Sequence, residues 1–363
     1  MVGGGLHGMS AALHLARRGC RVTVLEAVRV AAHASGLSAG GVRTLGRHPA
    51  EVPLALAALE QWHAIAALVG DDCGFQASGQ VKIAETASEL AGLRERLLGH
   101  EELIDGDGVR QLLPAVAGHV VGGVVCRRDG FAEPYRTTLA FWHAARAAGV
   151  VLHEGARVVA AARRAGRWTV RTQDGGEHCG DVLVNAAGAW GGRLARSLGD
   201  AVPLGFNAFM MMLTGPMPAF VGPVVGAAGR AISFKQVATG QVMIGGGYRG
   251  SGDLDTGQVR LDVPRMAQSA RGALALFPLL CRAQIVDAWA GIEGVTSDGL
   301  PVIGLSPATP GLVHAFGFCG HGFALGPVVG GIVAQLALDG GTNMPIGAFA
   351  VGRFAAAASA NSG

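Results

Sequence analysis

The chain opens on Gly3-Gly4-Gly5-Leu6-His7-Gly8, and few folds accept glycines at that spacing ahead of a helix. Leu6, Met9, Leu13 and Ala16 recur at helical spacing up to Arg18. Gly19 then breaks the run, and the apolar stretch Cys20 to Leu25 ends in Glu26. The pattern predicts a turn, an amphipathic helix and a buried strand, the order of a dinucleotide-binding βαβ unit. Gly3 permits the tight turn, Gly5 lets backbone N–H groups approach a pyrophosphate, and Gly8 lets helix and strand pack closely. Glu26 stands where a carboxylate accepts hydrogen bonds from the ribose of an adenosine. Only Met1 and Val2 precede the turn. That first strand is central in a parallel sheet, and its ladder groups need partners. The expectation is therefore that the strand lies upstream of residue 1, through a start assigned too late or a true truncation.

Composition narrows the rest. Of 363 residues 50% are hydrophobic and 15% charged, which excludes an intrinsically disordered chain. The 59 glycines keep no period of three, which excludes collagen. The length predicts two compact domains, and a net charge of +3 gives no reason to expect nucleic acid as a partner. Gly299 to Leu338 carries no Asp, Glu, Lys or Arg, yet Pro301, Pro307, Pro310, Pro327, His314, His321 and frequent glycines interrupt it. No membrane span is expected there. No leader is apparent either, since Arg17 and Arg18 follow the Gly-rich start. Cysteines 20, 73, 126, 179, 281 and 319 lack metal-site spacing, so free thiols in a reducing cytoplasm and no bound metal are expected.

Along the chain, a Gly/Ser/Ala loop from Ala34 to Gly41 precedes Arg43, Arg47 and His48, then a helix from about Ala50 to Val69 capped by Gly70. Strands are expected at Gly79 to Ala84 and Gly122 to Cys126, and helices at Ser88 to Leu98 and Pro134 to Ala148. Val150 to His153, a hairpin near Ala156 to Gln173, and a buried strand Asp181 to Asn185 follow. Pro203 to Trp289 reads as strand-rich and turn-rich. The end returns to strand, turn and helix at Gly311 to Phe316, Gly317 to Gly322 and Leu325 to Leu338.

The stretches VGGGLHGMSAALHLARRGCRVTVLE, ASGLSAGGVR, VNAAGAW, WAGIEGVTSDGLPVIG and GFCGHGFALGP together resemble the D-amino-acid oxidase superfamily of FAD-dependent oxidoreductases. The resemblance is strongest to its sarcosine oxidase β-subunit, glycine oxidase and hydrogen cyanide synthase branch, and covers the whole chain in order. It implies an α/β FAD-binding Rossmann-like domain of the glutathione-reductase type, with an α+β substrate domain built on a mostly antiparallel sheet. The FAD-binding domain would comprise 1–72, 140–198 and 296–354, the substrate domain 73–139 and 199–295, and 355–363 would be a tail. Gly3, Gly5, His7 and Gly8 would hold the pyrophosphate, and Glu26 the ribose. Ser38, Gly40, Gly41 and Val42 would line the flavin side, and Val158 would meet the adenine. Ala187, Gly188 and Trp190 match a second FAD turn. Gly320, His321, Gly322 and Phe323 match a turn whose backbone N–H groups face the flavin N1–C2=O edge, where reduction places negative charge.

The implied reaction removes a hydride from the carbon beside an amine nitrogen and yields an imine that water hydrolyses. The substrate class is a small amino acid or secondary amine such as glycine, sarcosine, a D-amino acid or a D-proline-like compound. Such a site needs a cation for the substrate carboxylate; Arg43 and Arg47 are the candidates, each weighed against a role as a solvated, acid-paired arginine. Lys235, one of two lysines with Lys82, is a candidate for the cavity or for an exposed strand position. Tyr248 and His48 are candidates against plain turn roles. Glu293 stands where glycine oxidases carry a carboxylate-binding arginine, and would instead attract a cationic amine. Gly291 replaces the flavin-attaching cysteine of monomeric sarcosine oxidases, so noncovalent FAD is expected, and Cys319 reads as a small residue beside the ring. Met243 stands in place of their oxygen-activating lysine, which leans towards a dehydrogenase passing electrons to a flavin or iron–sulfur partner subunit rather than to oxygen. Trp289 reads as core or cavity wall, and Met210-Met211-Met212 as strand filling. Two alternatives remain: an FAD-carrying subunit that turns over no substrate, and a nicotinamide-only dehydrogenase.

Overall fold

The computed structural model describes residues 1–354, and the expected tail 355–363 lies outside the described residues. Two sheets organise the chain. In the first, Thr23–Leu25 pairs in parallel with Val151–His153. Leu183–Asn185 pairs in parallel with Leu312–Phe316, which pairs antiparallel with Val302–Leu305. Between these halves runs the start of the chain. Val2 bridges Leu25 on one side and Asn185 on the other, both in parallel. The Val2 N–H donates to the Val184 carbonyl and the Gly3 N–H to that of Leu25. Residues 1–3 thus occupy the central lane on which the glycine turn rests.

Helices cover this sheet because their apolar residues recur on the faces turned to it. Leu6, Met9 and Leu13 of the first helix, Leu6–Arg17, are buried against the last helix, Gly322–Asp339. The helices Val52–His63 and Pro134–Ala147 complete the same core. The Trp62 indole N–H, donating to the Ala324 carbonyl at 2.8 Å, ties Val52–His63 to the last helix.

That last helix contains the expected Leu325 to Leu338 and starts earlier. It begins at Gly322 and runs unbroken through Pro327 to Asp339, long and apolar enough on composition to cross a membrane. Its glycines do not interrupt it. Gly326 and Gly330 let Leu6 and Ser10 approach its backbone, and most of its length is buried inside the protein.

The second sheet is mixed, with ten strands. Val224–Ala227 lies parallel to Gln80–Ala84, and the remaining pairings are antiparallel. Its longest pairing joins Leu204–Thr214 to Ile285–Thr296. Side chains alternate across a strand. Val81, Ile83, Val225, Phe234 and Ile244 pack into one core with Ala273 and Leu276, and Lys82, Lys235, Met243, Met211, Trp289 and Glu293 fall on the opposite face. Ala273 and Leu276 belong to the helix Val263–Leu276, inside the stretch expected to be strands and turns. Asp262 caps it, accepting the Arg265 N–H at 3.0 Å, and a proline stands in its first turn. These start signals open a helix whose apolar face turns Ala273 and Leu276 to the core. A second unexpected helix, Gly106–Leu112, is capped in the same way by Asp105.

Candidate cofactor and active site

A cavity of about 460 Å³ runs from the glycine turn to the turn that opens the last helix. Gly3 (φ +105°) takes a backbone conformation suited to glycine, and a Cβ at Gly8 would stand 2.0 Å from the Gly3 carbonyl oxygen. The resulting close packing aims the first helix at the cavity. Glu26 is bound from both sides, Oε2 accepting the Gly4 N–H at 2.7 Å and Oε1 the Val28 N–H at 2.8 Å. Burial pushes its carboxyl up, and these two N–H groups offset part of the rise. Ser35 Oγ accepts the Leu6 N–H at 2.9 Å, at the start of the helix.

His7 stacks on Phe318 with centroids 3.6 Å apart, and burial lowers its pKa to about 3, so the imidazole is neutral. Its Nε2 finds no hydrogen-bond partner among the described residues. Arg29, His33, Arg157 and Arg193 add cationic or polar groups to the walls. His33 also tilts over Trp190 at 4.7 Å, and the Trp190 indole donates to the Leu254 carbonyl at 2.6 Å.

At the other end, Gly317, Cys319 and Gly320 all have positive φ (70°, 55° and 86°). The Cys319 sulfur, 3.1 Å from the Gly317 carbonyl and 3.3 Å from the Thr296 N–H, holds the non-glycine residue in this turn. Glu293 Oε1 accepts the Gly320 N–H at 2.6 Å. Burial raises the Glu293 carboxyl to about 7, against the opposing pull of that N–H.

Of the residues singled out in the sequence, Gly3, Gly5, His7, Glu26, Ser38 and Val158 line this cavity, as do Ala187, Gly188, Trp190, Gly320, Gly322, Phe323 and Glu293. Gly8 sits behind the turn. Gly40 presses on Ala132, while Gly41 and Val42 pair with Phe131 and Gly130. His321 turns away, its Nδ1 2.8 Å from Glu51 Oε2. Burial pushes the Glu51 carboxyl up, but the hydrogen bond to His321 and the nearby Arg47 and Arg43 hold it low, and burial together with nearby Arg47 lowers His321 to about 4.

The other substrate candidates stand outside the cavity. Arg47 is buried, its Nε donating to the Arg43 carbonyl at 3.0 Å and its guanidinium 4.0 Å from Glu51. Arg43 donates to the Leu45 carbonyl at 2.7 Å. His48 is exposed and caps the turn Pro49–Glu51. Tyr248 packs with Ala208, Met210 and Ala290 on the far face of the second sheet. Lys235 is buried, its Nζ donating to the Ala39 carbonyl at 2.6 Å and lying 4.2 Å from the Phe131 ring centre. Burial lowers its pKa to about 7. It stands directly across from Met243 in the sheet. His33, Ser35, Arg29, Arg157 and Arg193 also line the cavity and belong to no glycine motif. Ser35 was legible within the ASGLSAGG loop, and Arg157 beside Val158.

The cavity's donors suit FAD: a glycine cradle that side chains would fill, a helix N-terminus, an unpartnered imidazole nitrogen, and cations at the wall. A family model for FAD dependent oxidoreductases matches residues 1–336. The chain belongs to this family and binds FAD, which sets aside the nicotinamide-only alternative. Glycine oxidase of Geobacillus kaustophilus (strain HTA426) is 27% identical over 93% of this chain and 91% of its own. The crystal structure of glycine oxidase from that species superposes with a TM-score of 0.89 at 25% identity, over 96% of both chains. An opine oxidase subunit of Rhizobium meliloti is 27% identical over 98% of this chain and 96% of its own. L-proline dehydrogenase from P. horikoshii shares the fold at a TM-score of 0.91 and 24% identity, over 98% of this chain and 97% of its own.

Proposed function

We propose that this oxidoreductase oxidises the C–N bond of a small amino acid or secondary amine, giving an imine that water hydrolyses. One observation carries the reading: the glycine turn, the Glu26 anchor and the Gly317–Gly322 turn converge on a single cavity, and Lys235 and Trp289, on the second sheet's face opposite its core, bond to the loop beside it. Bound FAD supplies the hydride acceptor. The protein's own residues bind and orient. Gly3, Gly5 and the Leu6–Arg17 helix start take the diphosphate, Glu26 the ribose, and the left-handed turn presents N–H groups where negative charge develops. Met211, Met243 and Trp289, on the face opposite the apolar core, are suited to form an apolar wall that keeps water from the reacting carbon.

The finer fold reading is a glutathione-reductase-type FAD domain assembled from separated segments, with the second sheet as substrate domain. The two cores support it. Noncovalent FAD fits Gly291 and the hydrogen-bonded Cys319 thiol. A cytoplasmic location fits six free cysteines, and the burial of the last helix fits a chain without a membrane span. We assign electron acceptance to a flavin or iron–sulfur partner subunit, on Met243 and on the likeness to an opine oxidase subunit. That likeness also favours the second reading, an FAD-carrying subunit without turnover. Arg43→Ala separates the two: FAD content stays at wild-type level and amine oxidation falls at least about a hundredfold if Arg43 binds the substrate carboxylate. Unchanged turnover contradicts that role.

A further inference from the structure

Glu293 is an acid placed where the rest of the site is built to receive negative charge. The Gly320 N–H, in the turn read as facing the flavin, is bound to its Oε1 at 2.6 Å. The side chain lines the cavity, and Oε2 makes no hydrogen bond among the described residues. Its position is firm. Glu293 lies on the strand Ile285–Thr296, whose Gly294 presses on the Ala189 backbone, where a Cβ would meet Cα at 3.0 Å.

The elements around it bring no paired cation. Asn207 faces it across the sheet. The short helix Ala34–Leu37 and the turn Gly188–Trp190 contribute no charge. From the Gly317–Gly322 turn comes the Cys319 thiol, raised and neutral, and from the first helix the neutral His7. Farther along the cavity stand His33, Arg29, Arg157, Glu26 and Arg193, the last ion-paired with Asp255.

We propose that Glu293 is the proton-accepting group coupled to reduction of the bound FAD. The inference rests on reading the cavity as the FAD site. Hydride transfer delivers two electrons and one proton and leaves one added negative charge beside the carboxylate. Coulomb repulsion then raises the carboxyl's proton affinity. Glu293 takes one proton from solvent, forming an O–H bond and losing its charge, so two electrons enter with two protons in all. With the carboxyl already raised to about 7, the extra proton enters above that pH; below it the group is protonated beforehand and takes up none.

The test is a spectroelectrochemical titration of FAD-loaded wild type and Glu293→Gln from about pH 6 to about pH 9. Above pH 7 the reduction equilibrium of wild type is expected to fall about tenfold more per pH unit than that of the variant, with the two converging at the acid end. Parallel slopes throughout overturn the proposal. Should the variant fail to hold FAD, the reduced-minus-oxidised infrared spectrum of wild type above pH 7 decides. A new protonated-carboxyl band supports the proposal, and its absence overturns it. A wild-type protein that retains no FAD overturns the cavity reading and this proposal together, whereas retained FAD with parallel slopes overturns the proposal alone.

Discussion

Lys235 carries its charge into a place with little to stabilise it: one backbone carbonyl, Ala39, and the face of Phe131. Burial depresses its pKa from 10.5 to about 7. Between those values the unfolded chain binds a proton that the folded chain does not, so stability rises with pH across that window. Lys235→Met is expected to abolish this rise, on the order of a few kcal/mol at most, in denaturant melts across the window; an unchanged pH slope contradicts the assignment. Residues whose constraint is local were legible in the sequence. Gly3 needs its left-handed φ within its own turn, and Glu26 meets the same turn through Gly4. Arg47 was not legible in this sense, because its fate depends on Glu51, and Glu51 is held by His321 from the far end of the chain.

Among elements, the contact between the first and last helices sets where the glycine turn points. A Cβ on Gly330 would lie 2.1 Å from Ser10 Oγ and 2.6 Å from the Ser10 backbone carbon, so the helices meet at a separation a side chain forbids. Gly330→Ala is expected to destabilise the protein by about 1–3 kcal/mol and to lower FAD retention by displacing Leu6–Arg17, as read from thermal midpoints and flavin absorbance per protein after gel filtration. Wild-type values in both contradict this packing account. The sequence made the first helix plain through its period and its glycine stop. It hid Val263–Leu276, whose cap, proline and apolar face lie inside a stretch otherwise rich in strand and turn residues, and it set the start of the last helix late.

Across the whole molecule, the first-sheet strands Thr23–Leu25, Val151–His153, Leu183–Asn185 and Leu312–Phe316 were readable because each βα unit carries its own punctuation, whereas Val302–Leu305 was not. The second sheet was not, since neighbours such as Gln80–Ala84 and Val224–Ala227 are far apart in sequence and pair in parallel amid antiparallel strands. That sheet decides which side chains face the loop from Ala34 to Gly41. It places Lys235 opposite Met243 and turns Tyr248 away, relations that no local pattern encodes. The central claim, that the shared cavity oxidises a small amine, is tested most directly by mixing FAD-loaded protein anaerobically with glycine, sarcosine, D-amino acids and D-proline while following the flavin's visible absorbance. The account predicts stoichiometric bleaching by at least one of them. Flavin that stays fully oxidised with every amine, yet bleaches with dithionite, contradicts it.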